Sequence, residues 1–128
     1  MVSVLDAWAL LALLQGEPAA MRVQEAIAAG GGVVSWVNLG EVYYVSIRRR
    51  GAADAELALR LVLASVRAED TIPQVTREAA RLKALGGLSY ADCFAIATAR
   101  RHQAPLLTGD PEIIDSASGV EVIDLRLA

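Results

Sequence analysis

The sequence predicts an α/β fold in which a short parallel sheet is covered by helices on both faces. Two observations lead to this prediction. Short apolar segments alternate along the chain with longer helical segments, which is the order that builds a parallel sheet through crossover helices. The short segments are also apolar throughout rather than alternately polar, as strands buried on both faces are. With 128 residues, the chain has the length of one domain, and we expect residues 1–128 to form a single domain.

Five segments are predicted to be strands because they are short, apolar or β-branched, and bounded by turn residues. The predicted strands are 2–5, 33–37, 71–74, 105–108 and 120–125. In open α/β sheets, ligands bind outside the carboxyl ends of the strands. Residues that directly follow these segments are therefore the first place to look for a functional site.

Caps and helix breakers predict the helices between the strands. Pro18 suits the first turn of the second helix, and three glycines follow that helix. Asn38 and Ser89 are favourable N-caps, and Gly51 ends the helix that Asn38 begins. The predicted helices are 7–15, 18–29, 38–50, 52–69, 75–85, 90–102 and a short turn at 111–115.

Composition excludes several classes of protein. Hydrophobic residues make up 55% of the chain and charged residues 21%, which argues against disorder. The mean hydropathy of +0.41 is high for a lone soluble domain and suggests that another chain covers part of its surface. No apolar run reaches the roughly 18 residues of a membrane span, and no basic residue precedes the first apolar run as in a signal peptide. With a single cysteine, Cys93, we expect a cytoplasmic protein with no membrane association.

Charge gives a mixed indication about nucleic acid. The net charge of −3 counts mildly against a nucleic-acid partner. Arginines are nevertheless clustered at 48–50 and 100–101, and such clusters form local basic patches. The cluster Arg48 to Arg50 either contacts RNA phosphates or forms a solvated helix end, and the second interpretation is favoured.

Four acidic residues occupy positions near strand ends and helix starts. Asp6 and Asp110 each end a predicted strand, and Glu41 and Asp92 each lie in the first turn of a predicted helix. Helix capping or turn formation explains each aspartate on its own. Glu41 is harder to explain, because its neighbours are mostly apolar and a half-buried glutamate must be paired, protonated or bound to a cation.

Together the four acids indicate a metal site. If the sheet is parallel, all four converge at one edge, where their mutual repulsion raises their pKa values. Mg²⁺ or Mn²⁺, which prefer oxygen ligands, would relieve that repulsion. Waters on such an ion supply a nucleophile for phosphodiester hydrolysis, and the positive ion lets an acidic pocket accept a phosphate backbone.

The segments that carry these acids resemble those of the PIN-domain ribonucleases, specifically the VapC-like toxins of type II toxin–antitoxin systems. The matching stretches are Val-Leu-Asp at 4–6, Val-Asn-Leu-Gly-Glu at 37–41, Ser-Tyr-Ala-Asp at 89–92 and Leu-Leu-Thr-Gly-Asp at 106–110. The resemblance implies a three-layer α/β/α domain with a short, mostly parallel sheet. It also implies an endoribonuclease dependent on Mg²⁺ or Mn²⁺.

The resemblance assigns the catalytic and metal-binding roles to Asp6, Glu41, Asp92 and Asp110. Thr108 occupies the family's usual hydroxyl position and is a candidate for orienting those acids, although it could equally just end a strand. Many relatives carry a hydroxyl residue directly after the first aspartate, where this chain has Ala7 followed by Trp8. Any hydroxyl contact from that position is therefore in doubt.

The resemblance further implies a homodimer, an RNA substrate and a cognate antitoxin that holds the toxin inactive. The helix predicted at 52–69 is apolar on most of its surface, which fits either antitoxin cover or burial in the core.

Two other functions compete with the nuclease. One is a PIN-like domain that binds partners without catalysis. The other is a phosphoryl-accepting receiver-like domain, which usually needs a lysine near a late strand, whereas the only lysine here is Lys83 in a predicted helix. A haloacid-dehalogenase-like phosphatase would want an aspartate at position 8, which is Trp8.

Overall fold

Five short strands form one parallel sheet at the centre of the protein. In the computed structural model, which describes residues 1–116 and 118–126, the order across the sheet is β3-β2-β1-β4-β5. All four strand pairs are parallel. The strands are β1 (Ser3–Leu5), β2 (Gly32–Ser35), β3 (Arg67–Glu69), β4 (Leu106–Thr108) and β5 (Val122–Asp124).

Helices cover both faces of this sheet and confirm the predicted fold class. They are α1 (Ala7–Leu14), α2 (Ala20–Gly30), α3 (Trp36–Arg50), α4 (Ala52–Ser65), α5 (Pro73–Leu85), α6 (Tyr90–His102) and α7 (Pro111–Ile114). Within residues 1–116 and 118–126, no helix combines the length and the apolar content that crossing a membrane requires.

Consecutive strand residues pack on opposite sides of the sheet. Val4 and Val33 belong to a core cluster with α5 and α6, whereas Leu5 and Val34 belong to a second cluster with residues of α1 to α4. Because side chains alternate across a strand, strands that are buried on both faces, such as β1, β2 and β4, are apolar at most positions on both sides. This is the reason that the strand segments lack polar alternation.

The chain reverses its direction across the sheet at β1. From β1 it proceeds to β2 and β3 on one side, and β4 and β5 lie on the other side. The crevice between the carboxyl ends of β1 and β4 is therefore a topological switch point, which is where open α/β sheets bind their ligands. Asp6 and Asp110 follow these two strands.

The predicted helix 52–69 is confirmed over residues 52–65 but ends four residues too late, and the predicted strand 71–74 is wrong. Helix α4 ends at Ser65, Val66 is extended with φ −129°, and Arg67–Glu69 pairs with β2. No glycine or proline marks this change, so local sequence could not predict it. The buried Val66 packs against Gly32 so closely that a Cβ on that glycine would lie 2.9 Å from Cγ1 of Val66. Tertiary contact with β2 thus overrides helix propensity.

The start of α3 also differs from the prediction. Ser35, rather than Asn38, is the N-cap, and its Oγ accepts a hydrogen bond of 3.2 Å from the N–H of Val37. Helix α3 therefore begins at Trp36, and Glu41 lies in its second turn rather than its first. Helix α2 likewise begins two residues after Pro18, which lies in the preceding turn.

Candidate metal centre

Asp6 is both the N-cap of α1 and a wall of the crevice between β1 and β4. Its Oδ1 accepts a hydrogen bond of 2.9 Å from the N–H of Ala9, and its Oδ2 accepts one from Oγ1 of Thr108. Only 3% of Asp6 is exposed. Capping and site formation are therefore compatible in this residue, because the capping hydrogen bond engages only one of its two oxygens.

Thr108 connects the ends of β1 and β4. Its hydroxyl donates to Asp6 and accepts a hydrogen bond of 2.9 Å from the N–H of Asp110. Thr108 is fully buried, so this geometry is shielded from competing water. The hydroxyl thus sets the position of the Asp6 side chain relative to the backbone of Asp110.

Three acidic side chains approach one another closely in the crevice. One carboxylate oxygen each from Asp92, Asp110 and Glu112 lies within 4.8 Å of the others. Asp92 lies in the first turn of α6, where its N–H donates to Oγ of Ser89 over 3.1 Å. Asp110 caps α7 by accepting a hydrogen bond of 2.9 Å from the N–H of Glu112. Glu112 was not predicted as a site residue, although its place directly after Asp110 and Pro111 at a helix start is a visible signal in the sequence.

Glu41 lies at the same crevice but outside this group of three. It is half-buried in α3, and its pKa is raised first by burial and then by the negative charge of Asp110. The four acids singled out in the sequence are therefore brought together by the structure, with Asp92 and Asp110 in closest contact.

Burial and mutual repulsion make the crevice hold protons unusually well. Burial, with smaller contributions from Asp92 and Asp110, raises the pKa of Asp6 from 3.8 to about 7, against the lowering effect of the Thr108 and Ala9 hydrogen bonds. Burial and the charge of Asp110 raise the pKa of Asp92 to about 7 as well. Among the described residues, no lysine, arginine or histidine forms an ion pair with these aspartates or with Glu41. The chain thus supplies negative charge here without supplying its counter-ion.

A buried amide beside the carboxylates adds a further oxygen. Asn38 is 1% exposed, and its Nδ2 donates to the carbonyl of Ala91 over 3.0 Å. Its Oδ1 has no hydrogen-bond partner in the part of the chain that the structure describes. An orphaned buried acceptor costs free energy. Its position next to the residue that precedes Asp92 fits a hydrated hard cation, which prefers carboxylate, carbonyl and water oxygens.

The parallel sheet, the switch-point crevice and the clustered carboxylates place the protein in the class of open α/β proteins with an acidic cluster at the carboxyl edge of the sheet. Residues 3–118 match the family model of the PIN domain. The chain belongs to the PIN domain family. No curated protein sequence matches it significantly.

Solved structures with the same fold come from several bacteria. VapBC2 of Rickettsia felis, bound to a DNA fragment of its promoter, is 13% identical with a TM-score of 0.78, and 97% of this chain and 98% of that chain are covered. VapBC-1 of Haemophilus influenzae is 16% identical with a TM-score of 0.77, over 98% and 99% of the two chains. VapC20 of Mycobacterium tuberculosis, a toxin that cleaves the sarcin-ricin loop, is 19% identical with a TM-score of 0.71, over 90% and 95%.

Proposed function

We propose that this chain is an endoribonuclease dependent on Mg²⁺ or Mn²⁺, and that it acts as the toxin of a toxin–antitoxin pair. The observation that carries the proposal is the group of carboxylates at the β1/β4 switch point, which form no ion pair with a basic residue in the described part of the chain. Membership of the PIN domain family and the likeness in fold to VapC20, a toxin that cleaves RNA, support an RNA substrate.

Each acidic residue has a proposed role in this reaction. Asp6, Asp92 and Asp110 would hold the cation, and Glu41 would hold it as well or orient a water molecule. A bound divalent cation supplies two things, an acidified water and stabilisation of the negative charge that develops on a phosphodiester. Thr108 holds the Asp6 side chain at a fixed position relative to the Asp110 backbone through its two hydrogen bonds. Residues that orient metal ligands act in this way.

An apolar surface between three helices supports the proposed antitoxin partner. Leu57 and Leu61 of α4 are 53% and 56% exposed. A cavity of about 400 Å³ is lined by residues of α1, α2 and α4, among them Leu13, Ile27 and Leu61. We propose that an apolar segment of the antitoxin covers this surface, as the VapBC pairs with the same fold suggest. Co-purification of a small protein encoded beside this chain, after the two are co-expressed, tests this partner, and the absence of any such reading frame would contradict it.

The oligomeric state and location follow the same resemblance. We propose a homodimer, for which the exposed aromatic rings of Trp36 and Tyr90, at 40% and 45% exposure, provide apolar surface. Light scattering during gel filtration tests this state. A cytoplasmic location fits the single free cysteine, Cys93, which is fully buried.

Cleavage of single-stranded RNA by the purified chain tests the catalytic proposal. We expect cleavage with Mn²⁺ and none with EDTA, and a loss of at least about 100-fold in Asp6→Asn and Asp92→Asn, since even residues that only support metal ligands cost 10- to 100-fold. Asp115→Asn is the matched control, because Asp115 is an exposed acid at the end of α7. Equal cleavage by Asp6→Asn and the unmodified chain would contradict the assignment.

The two competing functions give different results. A receiver-like domain is disfavoured because Lys83 donates to the carbonyl of Leu88 over 2.9 Å in the last turn of α5, where it has no part in the carboxylate crevice. A PIN domain that only binds partners would leave RNA intact, and its melting temperature would not respond to millimolar Mn²⁺.

A further inference from the structure

The indole of Trp8 lies directly on the backbone of the loop that carries Asp110. A Cβ built on Gly109 would come within 2.3 to 2.5 Å of three atoms of the six-membered ring of Trp8, so only glycine permits this contact. Trp8 follows Asp6 by two residues, and Gly109 directly precedes Asp110. The ring therefore lies between the loop of Asp110 and a cavity on the other side of the indole.

Beyond the ring lies a cavity of about 330 Å³. Trp8 and apolar residues of α1, including Leu11, form one part of its lining, and Leu125 forms another. Two arginines, Arg49 and Arg126, line it as well, together with one acidic residue, Glu17. An aromatic ring, an apolar floor and arginines are the elements that hold a stacked base together with its phosphate.

The arginines in and beside this cavity differ in the interactions that their side chains already form within the protein. Arg126 forms a double hydrogen bond with the carboxylate of Asp124, at 3.0 and 2.9 Å. Arg48 lies over the ring of Tyr44, 5.0 Å from its centroid. Arg49 is exposed, and it forms no ion pair with any residue in the ranges 1–116 and 118–126. Arg49 is thus the cation in this cavity that is available to a phosphate.

We propose that this cavity binds the nucleotide of the RNA strand adjacent to the cleaved phosphodiester, with its base on the indole of Trp8 and its phosphate on Arg49. The proposal rests on the proposed ribonuclease function and deepens it by naming where the substrate is held. It also supplies what the acidic crevice lacks, since a chain of net charge −3 needs a local cation to retain a polyanion.

Size and charge favour a nucleotide over a segment of protein. A volume of about 330 Å³ is at the small end of the range for small-molecule sites. The cavity around Leu61 between α1, α2 and α4 shares no lining residue with this one, while Arg49 and Leu11 also line the groove that contains Leu57 and Leu61. Trp8 lines the arginine-lined cavity and contacts Gly109, and it thereby connects the cavity to the loop that carries Asp110.

Tryptophan fluorescence tests the proposal without relying on cleavage. The chain has two tryptophans, so Trp36→Phe leaves Trp8 as the only reporter. An Asp92→Asn background with Mg²⁺ keeps the RNA uncut, and an octamer of adenylate is the probe. We expect saturable quenching of Trp8 by the octamer. Trp8→Leu should weaken binding measured by anisotropy about 5- to 100-fold, the range that loss of one stacked base produces, and Trp8→Phe should retain most of it.

Arg49→Ala and its neighbour separate a specific phosphate contact from general charge. We expect Arg49→Ala to weaken binding and to lower the slope of log affinity against log salt by about 1. Arg48→Ala, a change of equal charge one residue away, should stay within twofold of the parent. Equal effects of the two changes would overturn the proposal, as would quenching by a basic peptide but not by RNA.

The subsite and the ribonuclease can fail separately. If the unmodified chain cleaves RNA with Mn²⁺ but the octamer leaves Trp8 fluorescence unchanged, the subsite is refuted and the nuclease stands. If the octamer leaves Trp8 fluorescence unchanged and the unmodified chain with Mn²⁺ cleaves no single-stranded RNA, both are refuted. Quenching by the octamer supports the subsite in either case, including one in which the chain binds RNA without cleaving it.

Discussion

Two groups of acidic side chains lie at the carboxyl edge of the sheet. They differ in whether basic side chains neutralise their charge. Glu69 lies at the end of β3. Its Oε1 is 2.7 Å from Nε2 of His102, and its Oε2 is 3.4 Å from a guanidinium nitrogen of Arg67. It borders a cavity of about 210 Å³ that Arg101 also lines. In the crevice between β1 and β4, Asp6 and Asp92 are more deeply buried yet have no such partner in the described part of the chain.

This difference shows what distinguishes a candidate site from an ordinary acidic surface. Exposed ion pairs contribute little and need no ligand. Buried carboxylates without a counter-ion instead destabilise the fold at neutral pH unless they are protonated or bound to a cation. The crevice is therefore the region in which the fold loses stability unless a proton or a cation is bound. The following predictions test that contrast, from the largest expected effect to the smallest.

The largest effect is expected from removing the charge of Asp6. Its pKa is raised from 3.8 to about 7 in the folded chain, so the folded state binds the proton more tightly than the unfolded state. The stability contributed by the protonated group is complete below about pH 4 and is lost as the pH rises towards 7. Asp6→Asn should therefore raise the free energy of unfolding at pH 8 without metal, by up to about 4 kcal/mol. Denaturant melts at pH 5 and pH 8 measure this, and a destabilised variant at pH 8 would contradict it.

The second effect concerns metal binding at the crevice. At pH 8, Mn²⁺ at about 100 times its dissociation constant should add about 2.7 kcal/mol to the free energy of unfolding. The gain should shrink at pH 5, where protons compete for the raised carboxylates, and should be largely lost in Asp92→Asn. Thermal melts with and without EDTA measure it. Glu69→Gln is the control, because Glu69 belongs to the neutralised group. If Glu69→Gln lost the stabilisation by Mn²⁺ as fully as Asp92→Asn, the two groups of acids would not differ in metal binding.

The third prediction compares the loss of the hydroxyl group at two buried threonines, Thr108 and Thr98. Thr108→Val leaves Oδ2 of Asp6 and the N–H of Asp110 without their partner, which should cost about 1–3 kcal/mol. It should also raise the pKa of Asp6 further, because the lost hydrogen bond lowers that pKa. Thr98→Val in α6 is the matched change, since its hydroxyl only donates to the carbonyl of Phe94 over 2.8 Å. Only Thr108→Val should shift the pH dependence of unfolding. The same shift in both variants would be evidence against the bridging role.

The smallest effect is expected in the neutralised group. Glu69→Gln should lower the free energy of unfolding by less than about 1 kcal/mol, as is typical of partly exposed ion pairs. RNA cleavage should remain within about twofold of the unmodified chain, since Glu69 is not part of the carboxylate crevice. A large loss of activity in this variant would mean that the second group also belongs to the site.

Much of the fold could be predicted from local pattern. Apolar runs and caps located β1, β4 and α6 within one residue of their observed bounds, because burial on both faces and capping by Ser89 leave local traces. The strand β3 could not be predicted, because only its pairing with β2 makes Arg67–Glu69 extended. Glu41 lies one turn further into α3 than predicted, because Ser35 rather than Asn38 caps the helix.

The amino-acid sequence by itself determined which residues carry charge and that Asp6, Asp92 and Asp110 stand at helix starts, since these depend on residue type and short-range spacing. Only the tertiary structure decided which acids meet. Strand order put β1 beside β4, and with it Asp6 beside Thr108 and Trp8 against Gly109. Contacts between residues about 100 positions apart are set by how strands pair and how side chains fill the space between layers, and hydrophobic periodicity does not encode that information.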